Sequence, residues 1–323
     1  MKYQLFDHIA IPVSKIALGS TYFGTTIDER VSFEMLDLFA KQGGTTIDTA
    51  RAYGQAKPGG PSASEQLIGR WMQKNGMRSR MAVITKGLSP ELSGKSRFSL
   101  RNLINDIERS QDELQTDSFD IWFCHRDDTR IPVDEIMDMF SELVTAQIVR
   151  NLGASNWTVD RIAAANQYAE KKNLPQFVTS EIQWSLATST PESWDDLSLV
   201  CMDDTQLAWY RKQGMPVFAY SSQAKGLFSK AIEFGFEALN EKSRRRFLSE
   251  ENIRRVERVR TLSEEMQVSP AAITIGYITS ENPSSIAIVG CSSASQLADS
   301  LSGADLKLSD EQLSFLLGGN HAT

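Results

Sequence analysis

Cysteine and histidine are scarce in this chain, three of each among 323 residues. Cys124, Cys201 and Cys291 are widely spaced, odd in number and form no CxxC pair. That argues against a disulfide framework or a thiolate zinc site. His8, His125 and His321 make no HxH or multi-histidine rim, so a metal-dependent barrel hydrolase or lyase is the weakest enzyme reading, and no metal is expected. Long apolar runs are missing too. The segment MKYQLFDHIAIPVSKIALGS is interrupted by Asp7, His8 and Pro12, so neither a signal peptide nor a membrane span is expected. Positive charge is in deficit: the net charge is −7 and the pI near 5.2. Such a balance carries no electrostatic footprint for nucleic acid or an anionic membrane. The expectation is a soluble, cytoplasmic protein forming one domain over residues 1–323. No distinct assembly element is visible, which leans toward a monomer while leaving oligomerisation open.

What is present is a rhythm. Short β-branched or apolar runs recur at residues 14–20, 45–50, 81–87, 119–125, 148–155, 177–185, 216–222 and 285–291, each followed by an amphipathic stretch of helical length. Eight strand–helix units predict a parallel sheet of βαβ units, closed as a (β/α)₈ TIM barrel. An open doubly wound sheet is the alternative. ALGSTYFGTT after the first run lacks the GxGxxG fingerprint, which lowers that reading. Residues 1–13 read as a short hairpin outside the barrel. Two intervals are long: 186–203 after the sixth strand, and 223–284 after the seventh, read as a long loop and then an Arg-rich helix. Long irregular segments in compact domains are usually lids or binding loops.

Three of the runs end on charged or titratable groups: Asp48, Lys86 and His125. Side chains alternate along a strand, so Asp48 shares a face with Thr46, Lys86 with Ile84, and His125 with Phe123. Consecutive strands of a barrel lie about 4.8 Å apart, which gathers the three at the C-terminal rim. Tyr53 follows Asp48 closely enough to fold over them. A phenol, with a pKa near 10, is a weak acid at neutral pH. An adjacent ammonium favours phenolate and should lower that value, while a carboxylate holds the ammonium in place. An imidazole can polarise a carbonyl. The set suits proton donation to a developing alkoxide, and because no side chain delivers hydride, a nicotinamide cofactor is implied. Singly, each residue has a blander role: turn residue, packed aromatic, snorkelling lysine, core histidine.

GSTYFG, TTIDTARAYG, SEQLIGRWM, VITKG, FDIWFCHRDD, NLGASNW, QWSLA, AYSSQAKGLFS and AIVGCSSASQL together resemble the aldo-keto reductases, (β/α)₈ nicotinamide-dependent carbonyl reductases. The resemblance implies that Asp48, Tyr53, Lys86 and His125 are the catalytic tetrad, with Tyr53 as general acid. It implies that Ser155 and Asn156 bind the nicotinamide carboxamide and that Tyr220 stacks on the ring. Ser221, Gln223, Lys225, Gly226 and Leu227 would follow the pyrophosphate. Gly290, Ser292, Ser293, Gln296 and Asp299 would meet the adenosine end.

Two departures from the family pattern stand out. Where a glutamine is common at the sixth strand this chain has Glu181, with glutamine at 183 instead; Glu181 is expected to keep the carboxamide role as an acceptor. No Lys or Arg occurs from Asn282 through Asp305, where the family usually clamps the 2′-phosphate of NADPH. NADP(H) is the expected cofactor and NAD(H) the alternative. Arg244–Arg246 is expected to form a solvated face, folding over to supply the missing charge being the less favoured reading.

Tyr22, Phe23, Trp157, Trp194 and Phe228 either line an apolar pocket or pack ordinary loops. Arg51 and Arg126 are expected in surface salt bridges, and Cys124 faces the helices. The expected substrate is a small carbonyl compound or alcohol. A cofactor-binding regulatory module of the same fold, with slow turnover, is the alternative function.

Overall fold

The computed structural model describes residues 1–57, 59–91, 93–280 and 285–319. A two-stranded antiparallel hairpin, β1 (Tyr3–Gln4) with β2 (Val13–Ser14), precedes a closed parallel barrel. The barrel strands are β3 (Ile16–Gly19), β4 (Thr46–Asp48), β5 (Ala82–Gly87), β6 (Phe119–Cys124), β7 (Val149–Ser155), β8 (Phe177–Gln183), β9 (Val217–Tyr220) and β10 (Ile286–Val289). β10 pairs with both β9 and β3, which closes the ring. Each of the eight apolar runs contains one of these strands.

Alternation sorts the strand residues as expected. Ala17, Ala82, Ile84, Ile121, Phe123, Phe218, Ile286 and Ile288 form a core inside the barrel, against which Phe6, Ile9, Ile11 and Val13 of the hairpin pack. Asn151 Nδ2 also donates to Asp7 O at 2.8 Å. The hairpin therefore covers the end where the strands begin. Ile47, Val83, Trp122 and Cys124 point outward into the layer shared with the helices.

That layer contains α1 (Glu29–Lys41), α2 (Ala63–Asn75), α3 (Leu100–Leu114), α4 (Val133–Thr145), α5 (Val159–Lys172) and α6 (Asp204–Gln213). Helix starts follow capping chemistry: Asp28, Ser62, Ser99, Thr158 and Asp203 each accept a backbone N–H in the first turn. Gly153 stands beside Phe123 in register, and a Cβ there would overlap the Phe123 ring. Gly153→Val should cost ~1–3 kcal/mol of stability through overpacking, read from urea unfolding.

The segment after β9 is more ordered than the long loop read from sequence. It folds into α7 (Leu227–Phe234) and α8 (Glu241–Phe247) before the Arg-rich α9 (Glu250–Met266) and the buried α10 (Pro270–Ser280). α7 is anchored by buried Leu227, Phe228 and Ala231. α8 is capped by Asn240 and buries Phe247, which meets Trp194 edge-on at 5.7 Å. Helices this short hide among charged residues because few of their positions need be apolar. The chain ends in α11 (Ala294–Ser302) and α12 (Asp310–Leu317); His321 lies outside the described residues.

Candidate active site

The C-terminal mouth brings the four expected residues together. Lys86 Nζ donates to Asp48 Oδ1 at 2.5 Å and to Thr49 O at 2.9 Å, and its side chain is fully buried. Tyr53 is set by a turn in which its N–H donates to Ala50 O, and its own carbonyl accepts from Ser62 Oγ. Its ring centroid lies 5.2 Å from Lys86 Nζ. The His125 ring meets it edge-on at 6.0 Å. Glu181 joins the group from β8, three strands away from Lys86, with Oε2 at 3.3 Å from Nζ. Lys86 is thus flanked by two carboxyl groups.

Burial and charge set the protonation states. Burial disfavours the Lys86 ammonium, but Asp48, Glu181 and Tyr53 together hold it well above the usual lysine range. Burial lowers the His125 pKa well below its ordinary value, and the Arg126 and Lys86 cations lower it further, so the imidazole is neutral at pH 7. Its Nδ1 is buried without a hydrogen-bond partner among the described residues. For Tyr53 the sequence reading is corrected. Lys86 does favour the phenolate, but burial outweighs it, with Asp48 and Glu181 on the same side, and the phenol is pushed up to about 12.

Glu181 is pushed up to about 8 by burial and by Asp48. Its Oε2 lies 3.3 Å from Lys86 Nζ and forms no other contact with a donor among the described residues. Carrying a proton, it becomes a donor to Asp48. Burial raises Asp48 as well, and the short bond from Lys86 opposes that, so Asp48 and Glu181 compete for one buried cation.

A cavity of about 1010 Å³ opens from this mouth. Ser155, Asn156, Glu181 and Tyr220 line it next to Asp48, Tyr53 and His125. Ser221, Gln223, Lys225 and Gly226 continue it, and Gly290, Ser292, Gln296 and Asp299 lie at its far end. Leu227 and Ser293 do not line it. Leu227 packs in the core, and Ser293 caps α11 by accepting from Gln296 N.

Asn156, Ser221 and Lys225 adopt left-handed φ of 57°, 52° and 54°. Such backbone is costly for non-glycine residues and clusters at functional sites. Asn156 Oδ1 accepts from Tyr220 Oη at 2.8 Å and Val200 N at 3.2 Å, and Nδ2 donates to Ser155 Oγ at 3.0 Å. One Nδ2 hydrogen is left for a ligand. A Cβ at Gly290 would meet no protein atom within 4 Å. Asn156 supplies a donor for a carboxamide oxygen, a Glu181 oxygen can accept from its NH₂, and Tyr220 supplies an aromatic wall, so the residues present fit a nicotinamide.

Several neighbours went unassigned or were misplaced at the level of sequence. Thr21 hydrogen-bonds Tyr53. Arg126 reaches Asp196 at 3.4 Å, Ser198 and its neighbour's carbonyl at the cavity wall. Arg51 is not at the surface. It is buried, with Nη1 3.3 Å from Glu113, because α2 and α3 close over it. Tyr22, Trp194 and Phe228 line the cavity, whereas Phe23 and Trp157 are core residues.

The Arg244–Arg246 run divides. Arg244 donates to the Leu239 and Phe236 carbonyls and Arg245 pairs with Asp195. Arg246 turns into the cavity, its guanidinium 4.1 Å from the Trp194 ring centroid. Basic residues on a short helix give no sequence signal for which one points inward.

Comparison with known proteins gives a consistent picture. A family model described as Aldo/keto reductase family matches residues 15–316. The chain is 28% identical to YrpG of Bacillus subtilis (strain 168), named an uncharacterized oxidoreductase, over 98% of this chain and 95% of that protein. It is 27% identical to the norsolorinic acid reductase stcV of Emericella nidulans, over 94% of this chain and 77% of the relative. The NADP(+) aryl-alcohol dehydrogenase of Phanerodontia chrysosporium is also 27% identical, over 97% and 84%.

Proposed function

The chain belongs to the aldo/keto reductase family and is an oxidoreductase; from that premise we propose that it reduces an aldehyde or ketone to the alcohol, with Tyr53 as proton donor and NADPH as the reductant. When bound, the nicotinamide supplies the hydride that reaches the carbonyl carbon. Ser155, Asn156, Glu181 and Tyr220 hold the ring end of the cofactor at the barrel mouth. Neutral His125 orients the carbonyl oxygen, and the Tyr53 phenol donates its proton to that oxygen as charge develops there. Lys86, kept cationic by Asp48, stabilises the phenolate left behind.

The observation that carries this reading is the buried phenol between an ammonium and a neutral imidazole. Held at about 12, Tyr53 stays protonated throughout the neutral range, as reduction requires. The reverse reaction starts from phenolate, so the free site favours reduction.

NADP(H) is favoured because Lys225 and Arg246 both face the cavity and neither forms an ion pair among the described residues. Burial lowers the Lys225 pKa and Arg246 lowers it further, as expected for two cations awaiting an anion. Arg246→Gln should weaken NADPH binding about tenfold and NADH binding less than threefold, measured by calorimetric titration. Equal losses for both cofactors would assign Arg246 to the pyrophosphate or to packing, and would remove the support for NADP(H).

The substrate end, with Tyr22, Ile27 and Leu199, suits an uncharged, apolar or aromatic carbonyl compound. Arg126 is already engaged by Asp196 and is not free for a substrate carboxylate. The name of one relative, an aryl-alcohol dehydrogenase, supports the aromatic class. The test is turnover of a panel of aryl and alkyl aldehydes with NADPH. Aryl aldehydes should give the highest kcat/KM, and selectivity for carboxylate-bearing carbonyls would refute the substrate assignment.

A further inference from the structure

Glu181 serves in the chemistry above only to hold the ring end of the cofactor, yet it sits in an unusual electrical environment. From β4 Asp48 faces it, from β5 Lys86, from the loop beyond β4 Tyr53, and from β9 Tyr220. Its flanking strand β7 ends in the uncharged Ser155 and Asn156. On its own strand the next inward residue is the neutral Gln183, engaged by Ser189. His125, Arg126 and Asp196 lie on the same cavity wall, the last two paired with each other. Asp48 and Lys86 cancel. A proton on Glu181 leaves the buried cluster neutral, and its loss leaves one uncompensated negative charge at the end of the cavity that fits the nicotinamide.

We propose that Glu181 makes cofactor discrimination pH-dependent: protonated, it treats oxidised and reduced nicotinamide alike, and ionised, it selectively favours the oxidised ring, which carries the positive charge. This rests on the nicotinamide lying against Ser155, Asn156 and Tyr220. The charge difference is confined to the ring, so the effect belongs to a carboxyl at the ring end and not to Lys225 or Arg246, which are assigned to the phosphates. The polarity follows from burial. In a site shielded from water, a single charge a few ångströms from the ring outweighs exposed charges elsewhere on the surface.

The sign and window follow from the surrounding groups. The Glu181 carboxyl, about 4.5 in its ordinary state and pushed up to about 8 here, is neutral at pH 6 and ionised at pH 9. Tyr53, Tyr220 and Lys86 are held above that window, and His125 below it. Linkage then requires the converse: oxidised cofactor must lower the Glu181 pKa and release a proton on binding near pH 7.5, whereas reduced cofactor must not.

The test is calorimetric titration of the whole protein with NADP+ and with NADPH at pH 6 and pH 9, in buffers of different ionisation enthalpy. Comparing the two cofactors cancels the titration of their common 2′-phosphate. The Kd ratio of NADP+ to NADPH should fall roughly five- to tenfold from pH 6 to pH 9. NADP+ alone should release about 0.4–0.5 proton per site in between, the amount that a five- to tenfold change in affinity requires. Glu181→Gln, which keeps the shape and removes the titration, should hold the ratio constant within about twofold.

A pH-independent ratio in the wild type, or no proton release with NADP+, overturns the proposal without touching the reductase reading. An unchanged pH dependence in Glu181→Gln overturns it by assigning the effect to another group. Failure of both cofactors to bind at either pH overturns the nicotinamide reading itself, and this proposal with it.

Discussion

Tyr53→Phe is expected to lower kcat for carbonyl reduction by about 10³-fold or more while leaving the Kd for NADPH within about twofold. The substitution removes one oxygen. Phenylalanine retains the aromatic contacts with His125 and Lys86 that place the ring, so the mouth keeps its shape. What disappears is the phenol proton that the proposed step transfers to the carbonyl oxygen. His125 is neutral and Lys86 is held cationic by two carboxyls, so neither is an easy acid. Rapid-mixing absorbance of bound NADPH separates the two effects, with binding preserved and hydride loss slowed. A variant within tenfold of wild type would remove Tyr53 from the mechanism.

Lys86→Met should have the largest effect on the fold. Removing one partner of a buried ion pair typically costs about 3–5 kcal/mol, because the remaining charge stays buried without compensation. Here two carboxyls lose their common cation. Both are raised by burial while Lys86 lowers both, so its loss raises both further. Groups whose folded-state pKa is raised contribute stability that is complete at low pH and is lost as pH rises through the folded value. The variant should therefore approach wild-type stability near pH 4 and fall progressively behind it toward pH 8. Urea unfolding at those two pH values measures this directly. Its reductase activity should fall at least about 10²-fold at neutral pH, since nothing then stabilises the phenolate. A stability deficit that does not change with pH would mean that Lys86 matters for packing and not for the charge of Asp48 and Glu181.

The parts of this molecule that were legible in the sequence are those governed by short-range rules. Each barrel strand lies inside a run of β-branched and apolar residues, and the period of two correctly placed Asp48, Lys86 and Phe123 inward and Cys124 outward. What escaped depends on contacts between segments far apart in the chain. Glu181 meets Lys86 from three strands away, a pairing that neither local pattern nor strand adjacency announces. The direction of the Tyr53 pKa came out reversed because burial, a tertiary quantity, exceeds the effect of the neighbouring ammonium. Arg51 is buried only because α2 and α3 cover it, and Arg246 enters the cavity only because α8 packs on Trp194. Leu227 and Ser293, expected from the resemblance at the cofactor, place their side chains in the core and in a helix cap.

Everything proposed for this site turns on hydride delivery to a carbonyl at the mouth where Asp48, Tyr53, Lys86 and His125 converge. Its most direct test uses NADPH deuterated at the transferable position of the nicotinamide and an aryl aldehyde, with the product read by mass spectrometry. One deuterium is expected on the carbinol carbon, formed in step with cofactor oxidation and abolished in Tyr53→Phe. Tight cofactor binding without labelled alcohol from any aldehyde or ketone would contradict it and would favour a nucleotide-sensing module built on the same barrel.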